Sequence, residues 1–171
     1  MENRMTASRF GFVFILLIVG LLTRFIPHWP NFTAVGAVAL LGAAHLKPKW
    51  IAPAITLGIL FLSDLVLGYY NGFGLVYAAF LIMSFQGLFM KANSPKSLLI
   101  HSVSGSILFF LITNFGVWSG SGLYTKDFIG LLSCYAAGLP FLVNFILGTV
   151  LFGLGIQWLI RLAEERFFVH A

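Results

Sequence analysis

The sequence predicts an all-α integral membrane protein: a single domain over residues 1–171, built as a six-transmembrane-helix bundle with both termini cytoplasmic. Three observations predict it. Six apolar stretches fill almost the whole chain, and the few charges sit between them. Hydrophobic residues outnumber charged ones 60% to 9%, and mean hydropathy is +0.99, so too little polar surface exists to coat a water-soluble globule. The ten Lys and Arg residues also divide unevenly between the two ends of such a bundle.

The first helix is expected at residues 10–26. No small-x-small cleavage site closes its apolar run before Arg24, so it reads as a retained helix and not as a leader. Pro27 and Pro30 then break it. Helix 2 is expected at 33–46, short and rich in Ala and Gly, and Lys47-Pro48-Lys49 ends it. Helix 3 is expected at 50–68, with Pro53 tolerated in its first turn. A Tyr69-Tyr70-Asn71-Gly72 turn leads to helix 4 at 73–90. A polar loop containing Pro95 leads to helix 5 at 97–118. The apolar stretch 128–160 exceeds one bilayer crossing of about 20 residues. Pro140 divides it into a lead-in or half-helix at 128–139 and a span at 140–160, followed by a charged cytoplasmic tail at 161–171. Six crossings from a cytoplasmic N-terminus put Arg4, Arg9, Lys47, Lys49, Lys91, Lys96, Arg161 and Arg166 inside. Only Arg24 and Lys126 fall outside, a strong positive-inside bias that supports the six-span topology with both termini inside.

In hydrocarbon each polar side chain needs a reason. The outer ends collect unlike groups: Arg24, His28, Trp29, Asn31, Asp64, Tyr69, Tyr70, Asn71, Asn114, Trp118, Tyr124 and Asn144. Aromatic walls with a few convergent polar groups are the composition of a small-molecule pocket, and all of these except Tyr70 and Asn71 are the candidate substrate-binding residues. Asp64 is the only acidic residue within an expected span. It contacts a solute, or it forms a structural ion pair with Arg24, or both. Arg24 either snorkels to the interface or holds an anion. Asn114 and Asn144 form interhelical hydrogen bonds or face a ligand. Gly36, Ala39, Gly42 and Ala43 make a smooth face on helix 2, which serves close packing in the bundle or docking on another membrane protein.

Other classes find no support in the sequence. The histidines do not cluster, and a lone cysteine, Cys134, permits neither a disulfide nor a Cys-based metal centre, so no metal or cofactor is expected. Basic residues are scattered, which argues against nucleic acid. No nucleotide-binding or nucleophile motif occurs, so the chain reads as no enzyme and no self-powered pump.

Four segments carry a resemblance: RFIPHWPNFT (24–33), LSDLVLG (62–68), FFLITNFGVW (109–118) followed by GLY (122–124), and the small-rich helix 2. Together they resemble an uncharacterised family of small bacterial transport-type membrane proteins. That family is similar to the substrate-binding S components of energy-coupling factor (ECF) transporters. The resemblance implies a site near the outer face for a vitamin or similar micronutrient, with the 27–33 loop as its lid. It also implies a transmembrane coupling protein with ATPases, docked on helix 2. The last helix departs from those relatives, which carry an Arg-Asn pair and an acidic residue after Leu-Gly. Here Val143 precedes Asn144 and Thr149 follows Gly148, so no particular substrate carries over. The alternative is a non-transport accessory or assembly subunit that docks through the same helix 2 face.

Overall fold

In the computed structural model, which describes the backbone of residues 2–168 and the side chains of residues 11–162, all regular structure is helical. Six helices follow in order: α1 (Glu2–Phe25), α2 (Val35–His45), α3 (Ile51–Leu67), α4 (Phe73–Gly87), α5 (Pro95–Gly120) and α6 (Phe128–Phe168). Two of them, Pro95–Gly120 and the stretch Phe128–Leu162 of α6, are long and apolar enough to cross a membrane.

The shortest helix organises the others. α2 has 11 residues, and every one from Val35 to Ala43 is buried. It packs against all five other helices, while α1, α3, α4, α5 and α6 follow one another around it. Enclosure on all sides requires a backbone that neighbours can approach, and VGAVALLGAAH supplies it with five Gly and Ala residues among the first nine. Its larger side chains, Val35, Val38, Leu40 and Leu41, form one core with Leu16, Ile59, Leu60, Met83 and Phe145.

Glycines set the closest crossings. A Cβ on Gly87 of α4 would stand 2.5 Å from the Leu40 carbonyl oxygen and 2.9 Å from the Ala43 Cβ, so only glycine lets α4 approach α2 here. Three other glycines each face a side-chain oxygen from a neighbouring element: Gly36 faces Thr149, Gly105 faces Gln86 and Gly138 faces Asn114. Such contacts bring weak Cα–H donors to oxygens inside an apolar interior.

The helices differ from expectation in instructive places. α6 runs unbroken through Pro140, so the expected half-helix at 128–139 and span at 140–160 are one element of 41 residues, about 60 Å long at 1.5 Å per residue. Pro140 removes the donor that the Ala136 carbonyl would use. The turn it presses on is Ala136-Ala137-Gly138, which holds only small side chains. α6 also continues to Phe168 through most of the expected tail, and residues 169–171 lie outside the described residues. α1 extends back to Glu2, and α4 stops at Gly87, where tighter turns take over. α5 starts earlier, at Pro95, because the Ser94 side chain accepts a hydrogen bond from the Ser97 amide at 3.2 Å.

Gly87 and Gly155 give a matched stability test. Gly87→Ala is expected to lower stability by about 1–3 kcal/mol, because the added methyl meets backbone that cannot yield. Gly155→Ala, on α6 with nothing within 4 Å, is expected to be neutral or to stabilise through helix propensity. Thermal unfolding of the purified variants in mild detergent measures both.

Candidate functional site

Three connections meet at one end of the bundle: residues 26–34 between α1 and α2, 68–72 between α3 and α4, and 121–127 between α5 and α6. Beneath them lies a cavity of about 580 Å³. Its polar wall includes Arg24, His28, Asn31, Tyr70, Asn114 and Tyr124. Its apolar wall includes Phe80, Phe109, Phe110, Phe141 and Phe145. Phe80, Phe109 and Phe145 touch one another, with ring centroids 4.8, 5.8 and 4.5 Å apart, and all three are buried.

Behind the polar wall sits the one ion pair among the described residues. Arg24 Nη2 donates to Asp64 Oδ1. The Tyr77 hydroxyl donates to Asp64 Oδ2 at 2.9 Å. Asp64 is 1% exposed and Arg24 15%, so α1, α3 and α4 are joined through a carboxylate almost wholly removed from solvent. Arg24 lines the cavity, and its buried Nε has no hydrogen-bond partner. Tyr70, on the connection beside the pair, has its phenol pKa raised. Burial contributes most, the Asp64 charge adds to it, and Arg24 opposes. Tyr70 therefore keeps its proton at neutral pH and remains a donor.

The connection between α1 and α2 crosses to α6 as a strap. Asn31 adopts a left-handed conformation, φ 65°, which asparagine tolerates better than most residues. Asn144 Nδ2 donates to the Pro30 carbonyl at 3.1 Å, and Phe32 packs on Phe152 at 5.6 Å between centroids. A Cβ on Gly148 would lie 3.1 Å from the Thr33 backbone, so α6 presents glycine where the strap runs closest. At the other side of the opening, the Trp118 indole donates to the Thr125 carbonyl at 2.9 Å, and Lys126 lies over the Trp118 ring. Asp127 caps α6: its Oδ1 accepts from the Gly130 amide at 2.7 Å and from the Thr125 hydroxyl at 2.8 Å. Those two bonds, the amide first, lower its carboxyl pKa.

Of the ten candidate residues, Arg24, His28, Asn31, Asn114 and Tyr124 come together on the cavity wall. The other five lie elsewhere. Asp64 stands behind Arg24 with both oxygens occupied. Asn144 anchors the strap. Trp118 braces the α5–α6 connection. Trp29 is 68% exposed on the outer side of the strap, beside His28 and Phe32. Tyr69 is half exposed against Phe73. Tyr70, of the wider outer-end set, is on the wall too, and so are residues the sequence does not single out for a site: Thr113, Cys134 and the phenylalanines. Cys134 is buried beside Asn114, its Sγ 3.4 Å from the Asn114 carbonyl.

Gly36, Ala39, Gly42 and Ala43 are all buried, so the small-residue face of helix 2 is spent on packing inside the bundle and is not on the surface. Gly36 meets Thr149 and Phe145 of α6, and Gly42 meets Ala52 of α3. Among the described residues, no group of three or more His, Cys, Asp or Glu side chains converges on a possible metal position.

The ion pair predicts a characteristic mutational pattern. Arg24→Ala alone is expected to cost about 3–5 kcal/mol, because it strands a buried carboxylate. Arg24→Met with Asp64→Leu is expected to recover most of that loss, since an apolar pair carries no desolvation penalty. Thermal unfolding of both variants measures the difference.

No curated protein and no solved structure matches this chain. Residues 4–170 match the model of a family of unknown function, DUF6580, and the chain belongs to that family.

Proposed function

We propose that the protein is a membrane-embedded, substrate-binding subunit of an uptake system for a small organic solute, similar to the S components of ECF transporters. The observation that carries this reading is the cavity. It opens at the end of the bundle where Arg24 and Lys126 lie, it is closed below by an aromatic floor, and its volume of about 580 Å³ suits a drug-sized solute. Towards α6 the strap over it is fastened by a single side-chain hydrogen bond and one aromatic contact, an arrangement suited to opening.

In this reading all six helices cross the inner membrane, with both termini cytoplasmic and the cavity facing outward. The positive-inside bias supports that orientation. α2 is only about 16 Å long, short of the roughly 30 Å hydrocarbon core. The bilayer sets no length for a helix that its five neighbours separate from lipid. The chain has no nucleotide motif, so the change of access falls to a coupling partner with ATPases. The helix 2 face is buried, so a coupling partner and an accessory complex alike would have to dock elsewhere, and the cavity is what favours uptake over the accessory-subunit alternative.

Two measurements test the reading. In a Cys134→Ala background, Thr125→Cys in intact cells is expected to react with a membrane-impermeant maleimide. Lys91→Cys is expected to react only after the membrane is opened. The opposite pattern inverts the topology and defeats the outward-facing cavity. Mass spectrometry of small molecules released from the protein purified in mild detergent is expected to find a solute that is lost in Ala137→Trp, which fills the cavity. A purified protein that carries no solute counts against the uptake reading.

A further inference from the structure

Resting on that uptake reading, we propose that the cavity selects a solute with a planar, acceptor-rich head, a carboxylate foremost, on a flat apolar body, and that it rejects cations. The argument starts from the order in which the two buried charges are met. Arg24 lines the cavity and Asp64 does not. Both Asp64 oxygens are committed, one to Arg24 and one to Tyr77, and the residue is 1% exposed. The pair therefore presents itself to the cavity as a dipole with its positive end forward.

The guanidinium retains donor capacity. A guanidinium has five N–H donors in a fixed plane. One nitrogen, Nη2, serves Asp64, and the buried Nε has no partner. A carboxylate matches such a planar donor edge in charge and geometry. Tyr70 on the same wall stays protonated, which adds a second donor.

An ammonium group finds the opposite. No carboxylate lines the cavity among the described residues. The aromatic rings of the opposite wall attract cations weakly, but the cavity wall also contains the Arg24 guanidinium, whose counter-charge lies behind it and not in the cavity, and which opposes a second cation. Those rings instead suit a flat apolar body, which they contact without leaving any polar group unpaired.

Three probes with one body and different heads test this: indole-3-acetate, indole-3-acetamide and tryptamine, titrated against the purified protein and read by thermal shift. The carboxylate is expected to bind about tenfold more tightly than the amide, as a charge-assisted pair should, and the amine to give no shift. Arg24→Gln is expected to bring carboxylate and amide within about threefold of each other. Asp64→Asn removes the counter-charge and leaves the guanidinium in place, so it is expected to raise carboxylate affinity. If Arg24→Gln does not fold, the direction of the Asp64→Asn change decides alone, because a cation-binding site requires the opposite sign. Amine binding as tight as the carboxylate's, carboxylate affinity that falls in Asp64→Asn, or silence from all three probes overturns the assignment. A co-purified cationic solute overturns it too and leaves the uptake reading standing. No co-purified solute together with silent probes defeats both.

Discussion

The enclosure of α2 is the constraint on which the rest of the structure depends. A helix of 11 residues reaches about half the thickness of a bilayer core. A helix so short and so buried sets two conditions: protein must surround it, and protein must satisfy the chain at its ends. Its sequence meets the first condition: Gly36, Gly42 and four alanines let neighbouring backbones approach from several directions. The second condition shapes the site. The chain leaving α1 at Phe25 crosses to α6, where Asn144 holds the Pro30 carbonyl, before it enters α2 at Val35. That traverse is the strap, and the space under it is the cavity. Short helix, strap and cavity are one geometric consequence.

The ion pair closes the same end from the other side. α1 contacts only α2 and α3 to any extent. In the membrane-embedded reading, a lone helix at the edge of the bundle gains little from apolar packing, because lipid tails are as apolar as its neighbours. Arg24, bonded to Asp64 and through it to Tyr77 of α4, supplies a directional contact that apolar packing lacks. A buried pair is weak evidence of net stability, yet it penalises any other rotation of α1, since a different rotation strands a charge. Thr23 adds a second fastening, accepting from the Ala34 amide at 3.1 Å where the strap enters α2.

Much of this was legible in the sequence, and the exceptions have physical causes. Composition, proline positions and apolar length mark six helices, and the structure has six, because these signals are local. The pairing of Arg24 with Asp64 was among the readings open from sequence: with one acidic residue in the apolar stretches and one basic residue at the same depth, few partners exist. Depth is readable from sequence, but rotation about a helix axis is not. Asp64, Trp29 and Tyr69 sit at the right depth and face elsewhere. α6 was misread for a different reason. Pro140 breaks a helix in water, where freed carbonyls find other donors, but a helix in an apolar setting has no better conformation to adopt. Reading α6 as interrupted hid the continuous face that places Cys134, Gly138, Phe141 and Phe145 along one wall.

The two ends of the bundle show how the same residue types come to serve different purposes. At the end opposite the cavity, polar side chains bind backbone carbonyls of neighbouring elements. Gln157 donates to the Ala92 carbonyl at 2.9 Å, Arg161 to the Asn93 carbonyl at 3.0 Å and Lys49 to the Ala43 carbonyl at 2.8 Å. His45 meets Asn93 at 3.1 Å, so the α4–α5 connection is tied to both α2 and α6. Each of these contacts has a structural explanation without a ligand. At that end the Gln157 Oε1 still lacks a partner, but it is neutral; at the cavity end the unpartnered group belongs to a cation. Asn144, Trp118 and Asp127 are engaged with backbone and hold the rim. Arg24, charged and only 15% exposed, is only partly satisfied by protein. A cation held at the edge of an apolar cavity, with its counter-ion behind it and donors to spare, is stabilised further by whatever acceptor enters the space in front of it. That charge, and not the mere presence of an unpartnered atom, distinguishes the cavity end from the opposite one.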